Sequence, residues 1–298
     1  MGIVDLDGLP EGLIINNPET ALQKLQRFAI DGYPALKVVT DYDRTLTRGV
    51  PGVNFTTWDV LCTLLPADRQ VTYHKLTDRY QGPEFAGRLP LEEAIIWWSD
   101  SLDLFIGTLT AQAIRDIAAQ TMLRDGVIEM FRVCNMHNIP SVVLSAGVHD
   151  LIDATLAQRK VTPTAILATK LVMDKTGLVC AWDQATLVHI LNKKELGHDT
   201  VASLREKHPN TILIGDSPED PGMVEGDERV FRIRVHDPNI DDPAMAVYIE
   251  RSACAGYDAV VMGDVLPIAE LIEWIGRGGK PLPSLSVKTR QPINEPLS

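Results

Sequence analysis

Short apolar runs rich in β-branched residues alternate with helical patterns along this chain, and this alternation is the strongest constraint on its fold. The runs are ALKVVTDYD (35–43), IPSVVLSAG (139–147), TAILATKLVMD (164–174), NTILIGDS (210–217) and AVVMGD (259–264). Apolar residues recur at helical spacing in three segments outside these runs: 18–31, 148–159 and 197–208. Asn17 is the candidate N-cap of the first of them. Strands separated by helices predict an α/β fold with a mostly parallel, doubly wound sheet, whose ligand site lies at the carboxyl ends of the strands.

A long segment interrupts this alternation. About ninety residues separate the first apolar run from the second, far more than a connection between neighbouring elements needs. Residues 69–80, 90–105 and 110–123 look helical, so we predict an inserted helical cap. The tail is rich in Pro and Ser without periodicity, which predicts an extended or disordered end. The predicted units are a Rossmann-like core (1–47 and 137–280), the cap (48–136) and the tail (281–298).

Composition limits the partners of this chain. Of its 298 residues, 45% are hydrophobic and 23% are charged, which excludes a disordered or fibrous protein. A net charge of -12 repels the phosphates of polymeric nucleic acid and anionic lipid surfaces, so we expect neither as a partner. Four scattered cysteines, an acidic N-terminus and the lack of a membrane-spanning apolar window favour a cytoplasmic protein. The sequence does not define an oligomeric state, and a monomer is favoured.

Two pairs of aspartates follow two of the predicted strands. Asp41 and Asp43 form a DxDxT pattern after the first run, and Asp216 and Asp220 follow NTILIG. A parallel sheet brings both pairs to one edge, where four acids need a divalent cation to offset their repulsion. Oxygen ligands favour Mg²⁺, and the first aspartate could also attack an electrophile. For DxDxT alone, an acidic turn or a helix cap is the alternative.

Two further segments carry groups suited to phosphate. Ser145 follows an apolar strand, and its hydroxyl with the next backbone N–H groups could hold phosphate oxygens, although a serine here could also merely cap a helix. Lys193, in the segment Asn192-Lys193-Lys194, could offset charge on a transferring phosphoryl group. A solvated surface lysine is the alternative. The sequence leaves open whether Lys193 or Lys194 faces the site.

In chain order, the segments DxDxT, SAG, NK and GDxxxD resemble the four motifs of the haloacid dehalogenase superfamily of phosphohydrolases. VTDYDRTLT, VVLSAGVHDLID, HILNKKE and ILIGDSPEDPGMVEG are similar to segments of the cytosolic 5′-nucleotidase III, or pyrimidine 5′-nucleotidase, family. The resemblance covers roughly residues 35–265. It implies a haloacid dehalogenase-like core with a helical cap inserted after the first strand. It also implies Mg²⁺-dependent hydrolysis of nucleoside 5′-monophosphates, with pyrimidine nucleotides as the leading substrates.

The resemblance also implies a role for each motif residue. Asp41 would be the nucleophile that forms an aspartyl-phosphate, and Asp43 would be the general acid and then the general base. The Asp41 carboxylate, the Asp43 carbonyl and Asp216 would hold Mg²⁺, while Asp220 orients metal-bound water. The groups that bind phosphate would be Ser145, the Ala146 backbone and Lys193.

The cap carries the candidates for binding the rest of the substrate. Trp97 could stack on a nucleobase, although packing within the cap is the alternative for its aromatic residues. The family commonly has a Glu-Trp pair where this chain has Ile96-Trp97, and Glu92 or Glu93, one helical turn earlier, could replace the absent acid. A phosphatase for phosphoserine or a sugar phosphate is therefore the second hypothesis. A catalytically silent binding protein is the third.

Overall fold

A computed structural model describes residues 8–48, 56–85, 89–237 and 255–280 of the chain. These residues form nine strands and nine α-helices. The strands are β1 (Leu13–Ile15), β2 (Leu36–Thr40), β3 (Ser141–Val148), β4 (Ala165–Thr169), β5 (Leu171–Met173), β6 (Val179–Trp182), β7 (Asn210–Gly215), β8 (Arg229–His236) and β9 (Ala259–Met262). The helices are α1 (Pro18–Asp31), α2 (Thr57–Cys62), α3 (Ala67–Tyr80), α4 (Leu91–Asp103), α5 (Ala111–Ala118), α6 (Val127–Met136), α7 (His149–Gln158), α8 (Lys193–Arg205) and α9 (Leu266–Gly276). No helix in the described ranges is both long enough and apolar enough to cross a membrane.

Seven strands form one sheet in the order β1-β9-β8-β7-β2-β3-β4. All neighbouring strands are parallel except β1, which pairs antiparallel with β9. From β2 the chain proceeds to β3 and β4 on one side, and it later returns to β7, β8 and β9 on the other. Such a reversal of strand order opens a crevice at the carboxyl ends of the two central strands, here β2 and β7. The predicted doubly wound α/β fold is confirmed.

Burial on both faces explains why the central strands are mainly apolar. Every residue of β2 and of β7 is buried. Successive residues point to opposite faces of the sheet, so Val38 packs in one buried cluster and Val39 in another. Helices α1, α6 and α9 contribute to the first cluster, and α8 contributes to the second. Asn17 is the N-cap residue of α1, as the sequence predicts, because its side chain accepts a hydrogen bond from Thr20 N at 3.5 Å.

Helix α6 lies in the core, whereas the sequence predicts that the cap covers residues 48–136. Val127, Met130 and Phe131 of this helix belong to the same buried cluster as β2 and α9. Periodicity shows that a helix has an apolar stripe, but it does not show which partner covers that stripe. The packing therefore moves the end of the cap back to about residue 123. The predicted beginning of the cap, at residues 49–55, and the predicted tail 281–298 lie outside the described residues.

The cap packs against a β-hairpin that lies later in the sequence, after core strand β4. The apolar run at 164–174 divides into β4, which joins the sheet, and β5, which pairs antiparallel with β6. Leu171 and Val179 of this hairpin lie in a buried cluster with residues of α2, α3, α4 and α5. Backbone hydrogen bonds also join the two parts, from Gly107 N to Val179 O and from Ala111 N to Gly177 O, both at 2.8 Å.

Candidate active site

The aspartates that follow β2 and β7 meet at the edge of the sheet. Asp41 N donates a hydrogen bond to Ile214 O at 3.0 Å, so parallel pairing continues to the end of both strands. One carboxylate oxygen from each of Asp41, Asp216 and Asp220 lies within 4.8 Å of the other two. The Thr45 hydroxyl lies 3.2 Å from a carboxylate oxygen of both Asp41 and Asp216. Two predicted motifs, 175 positions apart at Asp41 and Asp216, therefore form one acidic cluster.

The acids of this cluster repel one another in a buried setting. Burial, and then the charges of Asp220 and Asp41, raise the pKa of Asp216 well above its usual value. Burial also raises the pKa of Asp41, although Lys193 opposes that shift. Closely spaced carboxylates with raised pKa values fit a divalent cation, because an added positive charge offsets their mutual repulsion and favours the charged form. The cluster formed by Asp41, Asp216 and Asp220 can therefore hold a metal ion.

Lys193 is the cation that the chain itself places among these acids. Its Nζ donates hydrogen bonds to Asp41 Oδ1 at 2.7 Å and to Asp220 Oδ1 at 2.8 Å. Burial opposes its charge, but the attraction of Asp220 and Asp41 raises the pKa of Lys193 above the usual lysine value. Lys194 instead has a side chain that is 59% exposed and forms an ion pair with Glu225. The structure thus places Lys193, and not Lys194, in the site.

Asp220 organises the loop after β7. Its Oδ2 accepts hydrogen bonds from the backbone N atoms of Asp216 and Ser217, both at 3.0 Å, while its Oδ1 accepts from Lys193. Gly215 leaves the space for this arrangement, since a Cβ there would lie 2.3 Å from Asp220 Oδ2. Asp220 therefore fixes the position of Asp216 through the backbone and the position of Lys193 through charge.

Asp43 is directed toward the cap and is not one of the three acids of the cluster. Its carboxylate accepts hydrogen bonds from Thr57 N and from Thr57 Oγ1, both at 2.8 Å. Burial first, and the charge of Asp41 second, raise the pKa of Asp43 to about 7. A carboxyl group with such a pKa is partly protonated near neutral pH, which a proton donor requires.

Ser145 and Ala146 lie at the end of β3, beside the acids. Ser145 is buried, and its Oγ accepts a hydrogen bond from Gly147 N at 3.1 Å. The Ala146 carbonyl accepts hydrogen bonds from Nε1 of Trp58 and Nε1 of Trp98, both at 3.0 Å. The two indoles therefore attach the cap to the segment that the sequence predicts to bind phosphate.

A cavity of about 550 Å³ extends from the acids into the cap. Asp41, Asp43, Ser145, Lys193 and Asp216 line its core side. The aromatic residues that line its cap side are Trp58, Tyr73, Tyr80, Phe85, Trp97 and Trp98. This volume is within the usual range for small-molecule sites, and the lining combines charged groups at one end with apolar rings at the other. The cavity can therefore hold a phosphate ester whose second part is flat and apolar.

Of the two cap residues predicted to bind substrate, Trp97 and Glu93, only Trp97 lines the cavity. Trp97 lines the cavity and stacks on Tyr80, with ring centroids 5.4 Å apart and an interplanar angle of 16°. Glu93 is not among the lining residues, and its carboxylate lies 3.5 Å from Arg79 of the neighbouring helix α3. Trp58 and Asp59 of α2 line the cavity, although no sequence motif marks them. Their only sequence signal is a position shortly after the DxDxT segment.

Known proteins resemble this chain in both sequence and fold. Residues 53–241 match the model of the pyrimidine 5′-nucleotidase (UMPH-1) family. A Caenorhabditis elegans protein provisionally named cytosolic 5′-nucleotidase 3 is 27% identical over 290 residues, which cover 88% of this chain and 74% of that protein. The 7-methylguanosine phosphate-specific 5′-nucleotidase of Gallus gallus is 27% identical over 231 residues, covering 71% and 78%.

A solved structure supports the fold independently. The crystal structure of cytosolic 5′-nucleotidase IIIB bound to cytidine has a TM-score of 0.75 to this chain at 21% identity, covering 90% of this chain and 95% of that one. The family match spans more than half of the chain, including the motifs around Ser145, Lys193 and Asp216. With these motifs gathered around one cavity, the chain belongs to the pyrimidine 5′-nucleotidase family of phosphoric monoester hydrolases.

Proposed function

We propose that the protein hydrolyses nucleoside 5′-monophosphates with the help of Mg²⁺, and that pyrimidine nucleotides are its leading substrates. One observation carries this proposal: a single cavity joins the carboxylates around Lys193 to an aromatic wall in the cap. The first end suits a phosphoryl group, and the second suits a nucleobase. The name of the C. elegans relative places that protein in the cytosol, and we propose a cytoplasmic location here as well.

In the proposed reaction, the Asp41 carboxylate attacks phosphorus while the bond from phosphorus to the nucleoside 5′-oxygen breaks. Asp43 gives its proton to that leaving oxygen. Water then attacks the phosphorus of the aspartyl-phosphate, Asp43 takes up a proton from the water, and inorganic phosphate leaves with Asp41 restored. Covalent catalysis of this kind divides one difficult displacement into two easier steps. Asp43 lies at the cap side of the acids, where the leaving nucleoside would be.

Phosphate would be held by the Lys193 ammonium, the Ser145 hydroxyl and the backbone at Ala146. Mg²⁺ would be held by the Asp41 carboxylate, the Asp43 carbonyl and Asp216, with Asp220 fixing the loop behind them. When bound, the ion supplies positive charge that offsets the charge of the phosphoryl oxygens. The proximity of the carboxylate oxygens of Asp41, Asp216 and Asp220 supports this assignment, since all three lie within 4.8 Å of one another.

Removal of divalent cations is expected to abolish phosphate release, and addition of Mg²⁺ is expected to restore it. Mg²⁺ should also raise the midpoint of thermal unfolding, because an ion that binds only the folded state stabilises that state. Thermal unfolding with and without Mg²⁺, measured for the wild type and for Asp216→Asn, checks the site apart from activity. Full activity after exhaustive chelation, or an equal Mg²⁺ shift in both proteins, would contradict the assignment.

Trp97 is expected to contribute to binding of the nucleobase. Replacement of Trp97 by Ala should raise KM for the preferred nucleotide roughly 5- to 100-fold, which corresponds to a stacking free energy of about 1–3 kcal/mol. Trp97→Phe should recover part of the loss because it keeps a ring. Ile96→Ala is the matched control, since Ile96 is adjacent and exposed and is not a lining residue. An unchanged KM in Trp97→Ala would assign Trp97 to packing alone.

A substrate panel tests the proposal as a whole. The panel contains CMP, UMP, AMP, GMP, 7-methylguanosine monophosphate, phosphoserine and a sugar phosphate, each with and without Mg²⁺. We include 7-methylguanosine monophosphate because several relatives are named as 5′-nucleotidases specific for 7-methylguanosine phosphate. Release from nucleotides alone supports the proposal, whereas release only from phosphoserine or the sugar phosphate supports the second hypothesis. No release from any of them, with folded protein, would favour the silent binding protein.

A further inference from the structure

The carboxylate of Asp43 is held entirely by one residue of the cap, among the hydrogen bonds that the described residues show. Thr57 N donates to Asp43 Oδ1, and Thr57 Oγ1 donates to Asp43 Oδ2, each at 2.8 Å. Thr57 is the first residue of α2, and it is 2% exposed. A threonine hydroxyl has a single proton, so the bond to Asp43 uses its whole capacity as a donor. The carboxylate plane is therefore fixed at both oxygens by one residue.

The same hydroxyl also connects Asp43 to the end of β3. Val148 N donates to Thr57 Oγ1 at 3.2 Å, so the hydroxyl accepts from the strand end while it donates to the acid. Gly147 allows this close approach, because a Cβ at that position would lie 2.2 Å from Thr57 Oγ1 and 2.8 Å from Asp43 Oδ2. Thr57 thus lies between the acid and the segment that carries Ser145, and it contacts both directly.

We infer that Thr57 is a positioning residue for proton transfer, which orients the Asp43 carboxyl toward the leaving oxygen of the substrate. The inference rests on the proposed function, in which Asp43 is the general acid. A misoriented acid slows only those steps in which its proton matters. Loss of Thr57 Oγ1 should therefore affect substrates in proportion to how much their leaving group needs a proton. A ribose 5′-oxygen needs one, whereas a nitrophenolate leaves as a stable anion.

The experiment compares kcat/KM for a nucleotide and for p-nitrophenyl phosphate, since this ratio reports the step in which the leaving group departs. Thr57→Val, which has nearly the same shape without the hydroxyl, should lower kcat/KM for the nucleotide by about 10-fold or more and for the aryl phosphate by less than about 3-fold. Thr57→Ser should restore both values because it keeps the hydroxyl. Thr57→Ala provides a second test of the same bond if the valine variant does not fold.

Two controls separate this inference from the proposed function. Thr63→Val makes the same change at the other end of α2, where the hydroxyl donates to Val60 O, and it should leave both values unchanged. Asp43→Asn should show a larger difference between the two substrates than Thr57→Val does. If Asp43→Asn shows no such difference, Asp43 is not the general acid and the proposed reaction mechanism fails. If Asp43→Asn shows the difference but the Thr57 variants lower both substrates equally, Thr57 has a structural role only and the inference is overturned.

Discussion

Asp41→Asn is expected to lose phosphate release from every nucleotide, by a factor on the order of 10⁴ or more, because loss of a covalent nucleophile removes the reaction path itself. The amide is nearly the same size as the carboxylate, and Lys193 keeps its hydrogen bond to Asp220 in the variant. We therefore expect the variant to fold. Initial rates of phosphate release, with thermal unfolding measured on the same samples, check both parts of this prediction.

A matched change on the surface controls for the loss of one negative charge. Asp116→Asn in α5 alters an exposed aspartate that contacts Gln112 and does not line the cavity. Its activity should equal that of the wild type. An Asp41→Asn protein that is folded and retains more than a few per cent of activity would show that Asp41 is not the nucleophile. The proposal of an aspartyl-phosphate intermediate would then be wrong.

Lys193→Met is expected to lower kcat/KM for nucleotides by about 10²- to 10³-fold, since a buried cation beside a transferring phosphoryl group stabilises its charge. The physical basis is the pair of hydrogen bonds from Lys193 Nζ to Asp41 and Asp220, at 2.7 and 2.8 Å. Methionine fills a similar volume without the charge. Lys193→Arg should restore little, because the larger guanidinium does not fit between two acids spaced for an ammonium.

The adjacent lysine provides the control for this prediction. Lys194→Met removes a side chain that is 59% exposed and paired with Glu225 at the surface. Its kcat/KM should stay within about 2-fold of the wild type, because Lys194 does not line the cavity. Steady-state kinetics of both variants checks the assignment. A large loss in Lys194→Met together with an active Lys193→Met would reverse the roles of the two residues.

The central strands and the acids after them could be predicted because one physical rule governs both. Parallel strands that are covered on both faces are mainly apolar, and their carboxyl ends meet at one edge. These rules locate β2 and β7 and bring Asp41 near Asp216. Strand β8 (RVFRIRVH) escapes the same reasoning because it contains three arginines. The structure accommodates Arg234 of this strand through a hydrogen bond from Nε to Asp216 O at 2.9 Å.

The cap side of the site could not be predicted in the same way. Trp58 and Ala146 are 88 positions apart, and the hydrogen bond that joins them follows from the packing of α2 on the end of β3. No periodicity or motif encodes such a contact, so Trp58, Asp59 and the role of Thr57 emerge only from the folded chain. Glu93 stays a prediction. It shares helix α4 with Trp97, but its carboxylate lies 3.5 Å from Arg79, and it is not among the residues that line the cavity.

The hairpin of β5 and β6 has a consequence for protein engineering. A chimera that exchanges only residues 48–123 for the equivalent region of a relative would leave Leu171 and Val179 facing a foreign surface. It would also have to reproduce the bond from Trp182 Nε1 to Asp103, at 2.8 Å. Transplanting substrate preference between members of the family therefore requires two separate pieces of sequence, the insert and the hairpin 171–182. A chimera that receives the insert alone should either misfold or have a cap that packs poorly against the hairpin.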